Sequence, residues 1–539
     1  MCIKRLFSSR FDPVFLLILV AASFLFFYRL DQRPFWQDEA ETACLARNVL
    51  QHGVPVAFDG VNLISQEERR EFEADYLWRW SPWMQIYVAA AAFKVGGLTT
   101  WAGRFPFALA GLACIWLVYL LIRRSFDDLN WARMSAALLA LSVPFLLYSR
   151  QCRYYSLGAL LVLLCLHGFQ GRWRSKLGPA ALLTVSLGLL FHANYLLFLS
   201  FAAGMGIAAL VFYRQEIWTA RSLKLIIAVG IMTVPWLLLF RAKQQSGMLN
   251  FTTVPDYLVQ YLADLLQFIL PLPIAAVLLW RWRRFRGEHG RLPDDGERFV
   301  LFLFLILLAN TAIMAFIPQR EHRYLLHLYP LGAIALGWAV CRAWRYQRFS
   351  GVLLALLLGL TNWLHLVPME LLKIDNTIWH NTPYMLTLPN LPLKLYLTEL
   401  RSGYPDVNQS LIRFFQTHAR PGDTVLTTYG DLPLQFYTRC RVLGGLQGAM
   451  PELEQLPDWV VKRRHTRMNR EQLLNTSEDF ILNHLNLPED YETVVLPYPD
   501  DRFGNRADPY YHEFVPATEP FAGLTVHRKK QKADHDPHS

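Results

Sequence analysis

The sequence predicts a mostly α-helical, polytopic membrane protein that carries a small α/β domain at its C-terminal end. Long apolar runs recur through the first 367 of the 539 residues. Charged residues make up only 18% of the chain, whereas soluble proteins carry about 25%. From residue 368 onward the pattern changes to short strand-like and helix-like segments that are richer in charge. These three observations exclude an ordinary soluble globular protein.

Apolar runs long enough to cross a bilayer core of about 30 Å predict eleven membrane spans. A twelfth candidate, 81–98, is interrupted by Lys94 and by Gly96 and Gly97, so we expect it to lie at the membrane interface or to re-enter. The first run, 13–30, is expected to stay uncleaved because no small-residue cleavage site follows it. The eleven runs are 13–30, 104–122, 133–149, 154–170, 177–191, 195–213, 222–240, 265–280, 299–317, 325–341 and 350–367.

The positions of Lys and Arg predict the orientation of these spans. If 81–98 does not cross and the N-terminus is cytoplasmic, every strongly basic short loop, including RWRRFRGEHGR at 281–291, falls on the cytoplasmic side. The loop 31–103 and the chain after 367 then lie outside the cytoplasm, which predicts a multi-pass protein of the inner (plasma) membrane with a periplasmic C-terminal domain. The net charge of +10 is explained by these loops and does not indicate nucleic-acid binding.

The predicted domains are a membrane domain at 1–367, an α/β domain at 368–525 and a disordered tail at 526–539. Within the second domain, DTVLTTYG, RVLGGL, DWVVKRR and ETVVLPY predict strands, while NQSLIRFFQTHAR and RMNREQLLNTSEDFILNHL predict helices. No glycine-rich phosphate loop is present. The seven cysteines show neither a CxxC nor a Cys/His metal spacing, so they predict neither a disulfide framework nor a zinc site.

Two adjacent carboxylates, Asp38 and Glu39, follow the first span in FWQDEAETACLARNVLQHGVP at 35–55. Asp38 suits the N-cap of a helix, and Glu41 three residues later completes a capping-box pattern. The alternative is a functional one, because charge beside a membrane is costly without a partner or a role. The loop 31–103 is far longer than an ordinary connection, which favours function.

Four arginines lie against the positive-inside trend in the predicted outer turns. Arg150, Arg153, Arg320 and Arg323 predict a bound anion. Binding to lipid headgroups or pairing with the acidic residues of the loop 31–103 remains an alternative.

Three stretches in combination resemble the C-type (GT-C) glycosyltransferase superfamily. They are the acidic DE that opens an A…ARNVL helix after the first span, YSRQCRYYSL at 148–157 and HRYLLHLYP at 322–330. The similarity is to the protein O-mannosyltransferase and aminoarabinose transferase branch of bacterial inner membranes, and it covers roughly residues 10 to 345.

The resemblance implies a GT-C fold and a sugar donor linked to a polyprenyl phosphate. It also implies transfer at the outer face with inversion at the anomeric carbon. Asp38 matches the catalytic aspartate, with Glu39 beside it, and Arg323 and Tyr324 match the element near the donor phosphate. His192 lies where some relatives place a histidine near the site.

The sequence also departs from the family pattern in two places. The second outer turn carries Arg150 and Arg153 where several relatives have an acid, and the LLP of the phosphate element is LLH, with His327. These departures leave the second acid, the acceptor and a divalent metal open. His192 and His322 are therefore candidates for substrate or metal contact.

The chemistry of such a transfer agrees with this set of residues. A lipid phosphate leaves without a strong acid, and Arg320, Arg323, Arg150 and Arg153 could stabilise its charge. The acceptor hydroxyl needs a base, for which Asp38 is the candidate. A transporter or lipid-linked-sugar flippase and a non-catalytic assembly factor are the alternatives, and the acceptor could be a protein, a glycolipid or a polysaccharide.

Overall fold

The computed structural model describes residues 12–171, 177–240, 251–287, 294–317, 320–374, 385–404, 406–448, 455–463, 476–500, 506–516 and 523–530. The chain forms two compact units. The first comprises Met1–Arg29, Phe107–Leu397 and the short piece Asp508–Tyr510. The second comprises Leu30–Pro106, Thr398–Ala507 and Tyr511–Ser539.

Helices dominate the described residues. In chain order they are α1 (Pro13–Phe27), α2 (Gln37–His52), α3 (Met84–Gly96), α4 (Thr100–Phe126), α5 (Leu129–Leu141), α6 (Val143–Ser149), α7 (Tyr155–Gly171), α8 (Leu177–Ala193), α9 (Tyr195–Phe212), α10 (Arg214–Ile217), α11 (Ala220–Leu239), α12 (Val254–Phe268), α13 (Leu272–Gly287), α14 (Asp295–Met314), α15 (Tyr329–Tyr346), α16 (Arg348–Leu360), α17 (Trp363–Leu371), α18 (Pro392–Ser402), α19 (Val407–His418), α20 (Asp431–Tyr437), α21 (Thr476–His484) and α22 (Leu487–Asp490). Short 3₁₀ helices occupy Phe251–Thr253, His322–Leu328 and Met385–Thr387.

Each of the eleven predicted apolar runs coincides with a helix or with a bent pair of helices in the first unit. Among the described residues, five helices are long and apolar enough to cross a membrane, and the number rises to eight if each bent pair counts as one span. The remaining three runs correspond to α1, α7 and α8, which are apolar but shorter than 18 residues. The segment 81–98 contains only the 13-residue helix α3, whose length of about 20 Å falls short of a bilayer core.

Three of the spans are sharply bent. The bends are 66° between α5 and α6, 107° between α12 and α13 and 89° between α16 and α17. Pro144 in the first turn of α6 and Pro271 before α13 cannot donate a backbone hydrogen bond, which accounts for two of the breaks. At the third, the Asn362 amide donates to the carbonyl of Leu388 at 2.8 Å. The three breaks line one pocket in the first unit.

Close helix packing in the first unit depends on small residues. Gly337 in α15 faces Ser135 in α5, where an added Cβ would lie only 2.2 Å from the serine Oγ. A larger residue at 337 would therefore force these two helices apart.

The second unit contains a five-stranded sheet of order β2-β1-β3-β5-β4. Its strands are β1 (Thr424–Thr427), β2 (Arg441–Gly444), β3 (Trp459–Val461), β4 (Tyr491–Pro499) and β5 (Gly523–Lys529). β1 pairs in parallel with β2 and β3, and β5 pairs antiparallel with β3 and β4. Apolar residues of α19 pack on one face of the sheet, where the Phe415 and Trp459 rings lie 5.7 Å apart.

The four predicted strands and the helix at 407–418 are therefore confirmed. Of the second predicted helix, residues 476–485 lie within the described residues, and Thr476–His484 is helical. The predicted disordered tail needs correction at its start, because the residues up to Lys529 complete β5 and are held by backbone pairing with β4. Residues 531–539 lie outside the described residues.

The loop 31–103 belongs mostly to the second unit, where it covers the edge strand β2. Its Asn62 side chain imitates a neighbouring strand, because Oδ1 accepts from the Val442 N–H at 2.7 Å and Nδ2 donates to the Cys440 carbonyl at 3.2 Å. These bonds satisfy backbone groups that an edge strand would otherwise leave exposed.

Candidate functional site

The first turn of α2 carries the two carboxylates that the sequence singled out. The N-cap is Trp36, in an extended conformation, and α2 begins at Gln37. The predicted capping by Asp38 and Glu41 is therefore wrong, because the Trp36 N–H donates to Glu39 Oε2 at 3.4 Å and Glu41 accepts from Gln66 Nε2 at 2.6 Å. Asp38 lies half-buried at the second helical position, where the positive end of the helix dipole favours its anionic form.

Glu39 is fully buried and forms a two-pronged ion pair with Arg104 of α4. Arg104 Nε lies 2.8 Å from Glu39 Oε1, and Arg104 Nη2 lies 2.6 Å from Glu39 Oε2. The same guanidinium donates to the carbonyls of Leu30, Arg33 and Pro34 at 2.9–3.1 Å. Both oxygens of Glu39 are thus engaged in a contact that suits support of α2 better than the predicted catalytic role.

The first unit contains a buried polar cluster around Asp264 of α12, a residue that the sequence analysis did not single out. Asp264 forms an ion pair with Arg320 and accepts a hydrogen bond from the Tyr510 hydroxyl. Its Oδ2 also lies 3.5 Å from Nδ1 of His322. Arg320, predicted to bind the donor phosphate, is therefore already neutralised by a buried carboxylate.

His322 continues this cluster toward α15 and α6. Its Nε2 lies 2.8 Å from the Tyr329 hydroxyl, and its ring packs on Phe268 with centroids 4.7 Å apart. The Tyr148 hydroxyl of α6 donates to Asp508 Oδ2 at 2.7 Å. The predicted outer elements 148–157 and 322–330 thus meet in one network, in which His322 is buried and occupied by protein partners.

Arg153, Arg323 and Tyr324 lie together around Tyr154. The Arg153 guanidinium is 5.8 Å from the centroid of the Tyr154 ring, and that of Arg323 is 5.7 Å from the Tyr324 ring. Tyr154 is buried beside Tyr155, with the two ring centroids 4.8 Å apart. Both arginines are half-buried, so three of the predicted phosphate-binding residues are brought together.

Arg150 is engaged elsewhere. Its guanidinium donates to the carbonyls of Leu25, Tyr28 and Arg29 at 2.9–3.2 Å and to the Tyr396 hydroxyl. One of these carbonyls lies in the last turn of α1 and two lie just past its end, where backbone acceptors need such donors. The structure therefore gives Arg150 a helix-capping role in place of the predicted phosphate contact.

His192 lies at the end of α8 and packs against α11. Its Nε2 is 3.3 Å from the Met232 carbonyl, and its ring meets the edge of Trp236 at 5.0 Å. Among the described residues, no group of three or more His, Cys, Asp or Glu side chains could hold a metal ion. The contacts of His192 are those of a hydrogen-bonded structural histidine.

The chain is similar to one protein family over part of its length and to solved structures over most of its length. Residues 81–239 match the model of a family described as dolichyl-phosphate-mannose-protein mannosyltransferase. The structure of ArnT from Cupriavidus metallidurans bound to undecaprenyl phosphate is similar over 95% of this chain and 97% of that chain, with 13% identity and a TM-score of 0.55. The archaeal oligosaccharyltransferase AglB from Archaeoglobus fulgidus, in complex with an inhibitory peptide and a dolichol-phosphate, is 13% identical, with coverage of 80% of this chain and 64% of that chain and a TM-score of 0.42. No curated protein matches the sequence.

The likeness to ArnT extends over nearly the whole of both chains and shows a shared fold. The predicted resemblance thus agrees with a mannosyltransferase family model over residues 81–239 and with the fold of ArnT over nearly the whole chain. The mostly helical membrane architecture with a small C-terminal sheet is confirmed with it.

Proposed function

We propose that this protein is a membrane glycosyltransferase that moves a sugar from a polyprenyl-phosphate donor to an acceptor hydroxyl, with inversion, and that Asp38 is the general base. The observation that carries the proposal is the position of Asp38, a half-buried acidic residue in the first turn of α2 between two fully buried neighbours, Gln37 and Glu39. The match of residues 81–239 to a mannosyltransferase family supports the reaction type. The fold shared with a protein solved with undecaprenyl phosphate supports the donor class.

In the proposed reaction, the acceptor oxygen attacks the anomeric carbon while the bond from that carbon to the phosphate oxygen breaks. Asp38 takes the hydroxyl proton, and the lipid phosphate leaves with the bonding electron pair. One base on the face opposite the leaving group is sufficient for inversion. Asp38 is suited to this role because it is half-buried, whereas Glu39 is fully buried.

Arg153, Arg323 and Tyr324 are the proposed donor-phosphate residues. The two guanidinium groups, which lie beside Tyr154 and Tyr324, can stabilise the negative charge that develops on the departing phosphate. Arg150 and Arg320 are left out of this set, because one caps α1 and the other pairs with Asp264.

The proposal includes a place in the cell envelope. The distribution of Lys and Arg between the apolar runs favours an inner-membrane protein with a cytoplasmic N-terminus and with Asp38 on the periplasmic side. The acceptor is then a glycolipid, a polysaccharide or a protein of the envelope. The division into a membrane domain at 1–367 and an α/β domain at 368–525 is part of the same proposal.

The test compares the purified wild-type protein with Asp38→Asn. Each is supplied with a panel of polyprenyl-phosphate sugars and an envelope extract as acceptor, and release of the free lipid phosphate is measured. Loss of the base should lower turnover by about 10²–10⁴-fold. Glu41→Gln is the matched control, because it removes a charge from the same helix at a carboxylate that contacts Gln66.

Two results would contradict the proposal. Equal turnover by wild type and Asp38→Asn would remove Asp38 from the chemistry. A transporter would be favoured if the lipid-linked sugar moved across the membrane of protein-containing vesicles and no lipid phosphate was released in the presence of acceptor.

A further inference from the structure

The short helix α20 of the second unit contacts α2 along its length. Gln37 Nε2 donates to Asp431 Oδ1 at 2.7 Å, and Arg47 Nη1 donates to the Gln435 carbonyl at 3.1 Å. The Cys44 thiol lies 3.9 Å from the Leu432 carbonyl. The contacts therefore run from the first turn of α2 to its third, so α20 supports the helix that carries Asp38.

Asp431 is the buried polar anchor of this contact. It is fully buried, and its Oδ2 accepts from Gln447 Nε2 at 3.4 Å while its Oδ1 receives Gln37. Gly445 has a positive φ of 61°, and a Cβ there would lie 2.1 Å from Asp431 Oδ1. Burial raises the pKa of this carboxyl to about 6, and the hydrogen bonds from Gln37 and Gln447 work in the opposite direction. The Asp431 carboxylate therefore lies in a close-fitting pocket, and its shortest hydrogen bond comes from Gln37, the residue before Asp38.

Tyr437, at the other end of α20, joins the start of α2 to the start of α4. Its hydroxyl accepts from the Phe35 N–H at 3.0 Å and lies 2.6 Å from Thr100 Oγ1. Thr100 is the first residue of α4, and α4 carries Arg104, the partner of Glu39. The two ends of α20 therefore hold Phe35 through its backbone N–H and Gln37 through its side chain, in the segment that leads directly into Asp38.

We propose that Asp431 and Tyr437 are positioning residues for Asp38, so that the C-terminal α/β part of the chain completes the catalytic site. This inference rests on the proposed function of Asp38 as the base. Gln37 is held by Asp431 and Glu39 by Arg104, so the two chain neighbours of Asp38 are anchored from different elements. Displacement of a catalytic group by about 1 Å can lower turnover by about 10²-fold. Loss of either anchor should therefore lower kcat and leave substrate affinity nearly unchanged.

The experiment measures kcat and KM for lipid-phosphate release by Asp431→Ala, Asp431→Asn and Tyr437→Phe. Asp431→Ala should lower kcat by about ten- to a hundredfold with the donor KM within about twofold, because binding is not the function lost. Asp431→Asn should recover most of the rate, since the amide oxygen can still accept from Gln37. Tyr437→Phe should lower kcat severalfold through loss of the acceptor for the Phe35 N–H.

A second readout follows the orientation of α2 directly. Hydrogen exchange of the amides in residues 35–44 should be faster in Asp431→Ala and close to wild type in Asp431→Asn. Asp423→Asn is the matched control, because Asp423 accepts from Trp459 Nε1 at 2.9 Å in the same unit and has no part in the contact with α2. Its kcat and exchange should equal those of the wild type.

The outcomes separate the inference from the function on which it rests. If Asp38→Asn is inactive but folded Asp431→Ala keeps full kcat, the positioning role is wrong and the base assignment stands. If Asp38→Asn is active, the base assignment itself fails. A rise in KM without a change in kcat would also overturn the inference. If Asp431→Ala does not fold, Tyr437→Phe, which removes only one oxygen, takes its place: a lower kcat supports the positioning role and an unchanged kcat overturns it.

Discussion

Replacing Arg104 by Met should destabilise the second unit strongly, because it leaves the Glu39 carboxylate buried without a counter-charge. Glu39 has no exposed side-chain surface, and Arg104 reaches it through contacts of 2.6 and 2.8 Å. Removal of one partner of such a pair costs about 3–5 kcal/mol. The carbonyls of Leu30, Arg33 and Pro34 lose their donor in the same step, so we expect the upper end of this range.

Two matched variants isolate the cause. Arg79→Met breaks another two-pronged ion pair of the same unit, but its partner Asp75 is 51% exposed, so the cost should be below about 1 kcal/mol. The double variant Glu39→Gln with Arg104→Met removes the buried charge together with its partner. It should be more stable than Arg104→Met alone by about 1–2 kcal/mol.

The assay is thermal inactivation of lipid-phosphate release in detergent, together with the midpoint of thermal unfolding of the same samples. The expected order of stability is wild type, then Arg79→Met, then the double variant, then Arg104→Met. If Arg104→Met is no less stable than Arg79→Met, or if the double variant is the least stable of all, the buried ion pair does not hold the first turn of α2.

Two further predictions concern the ends of α1. Arg150→Met should lower the free energy of unfolding by about 1–3 kcal/mol, because the carbonyls of Tyr28 and Arg29, just past the end of α1, lose this donor. A melting midpoint equal to that of wild type would contradict the capping role. Arg133 holds the pKa of Asp12 at about 2, so this pair should add about 1 kcal/mol of stability that is complete above pH 4 and is lost as the pH falls toward 2. The difference in melting midpoint between wild type and Asp12→Asn should therefore shrink from pH 6 to pH 3, and a constant difference would contradict it.

Apolar length and composition were sufficient to locate the helices of the first unit. The bends were not predicted, although Pro144 marks one of them, because a proline at a helix start and a proline at a break look alike in sequence. Asp264 was missed because an acid in the pattern DYLVQYLADLLQF, which also holds Asp256, has the same appearance whether it faces water or a buried arginine. Its partner Arg320 lies far along the chain and is brought to it only by the packing of the helices.

The site shows the same division between local and distant information. The position of Asp38 at the start of a helix followed from its neighbours, whereas the capping role belongs to Trp36 and Glu39. The sequence could not show that Glu39 would be buried, because its burial depends on pairing with Arg104, which lies at the far end of the loop 31–103. Asp431 carries no local signal at all, because the glycines that accommodate it read equally well as turn residues.

The second unit is built from two stretches of chain that the ribosome makes far apart in time. Roughly 300 residues separate Pro106 from Thr398, and at a synthesis rate of about 5–20 residues per second they take about 15–60 s to complete. During that interval α2 exists without α20, the β2 edge that Asn62 covers has not been made, and the first-turn residue Gln37 has no Asp431 to bind. The loop 31–103 therefore stays incompletely folded until the C-terminal part of the chain has been synthesised. Chains that are truncated anywhere in the helical unit will leave the surface of this loop that contacts α20 and β2 exposed.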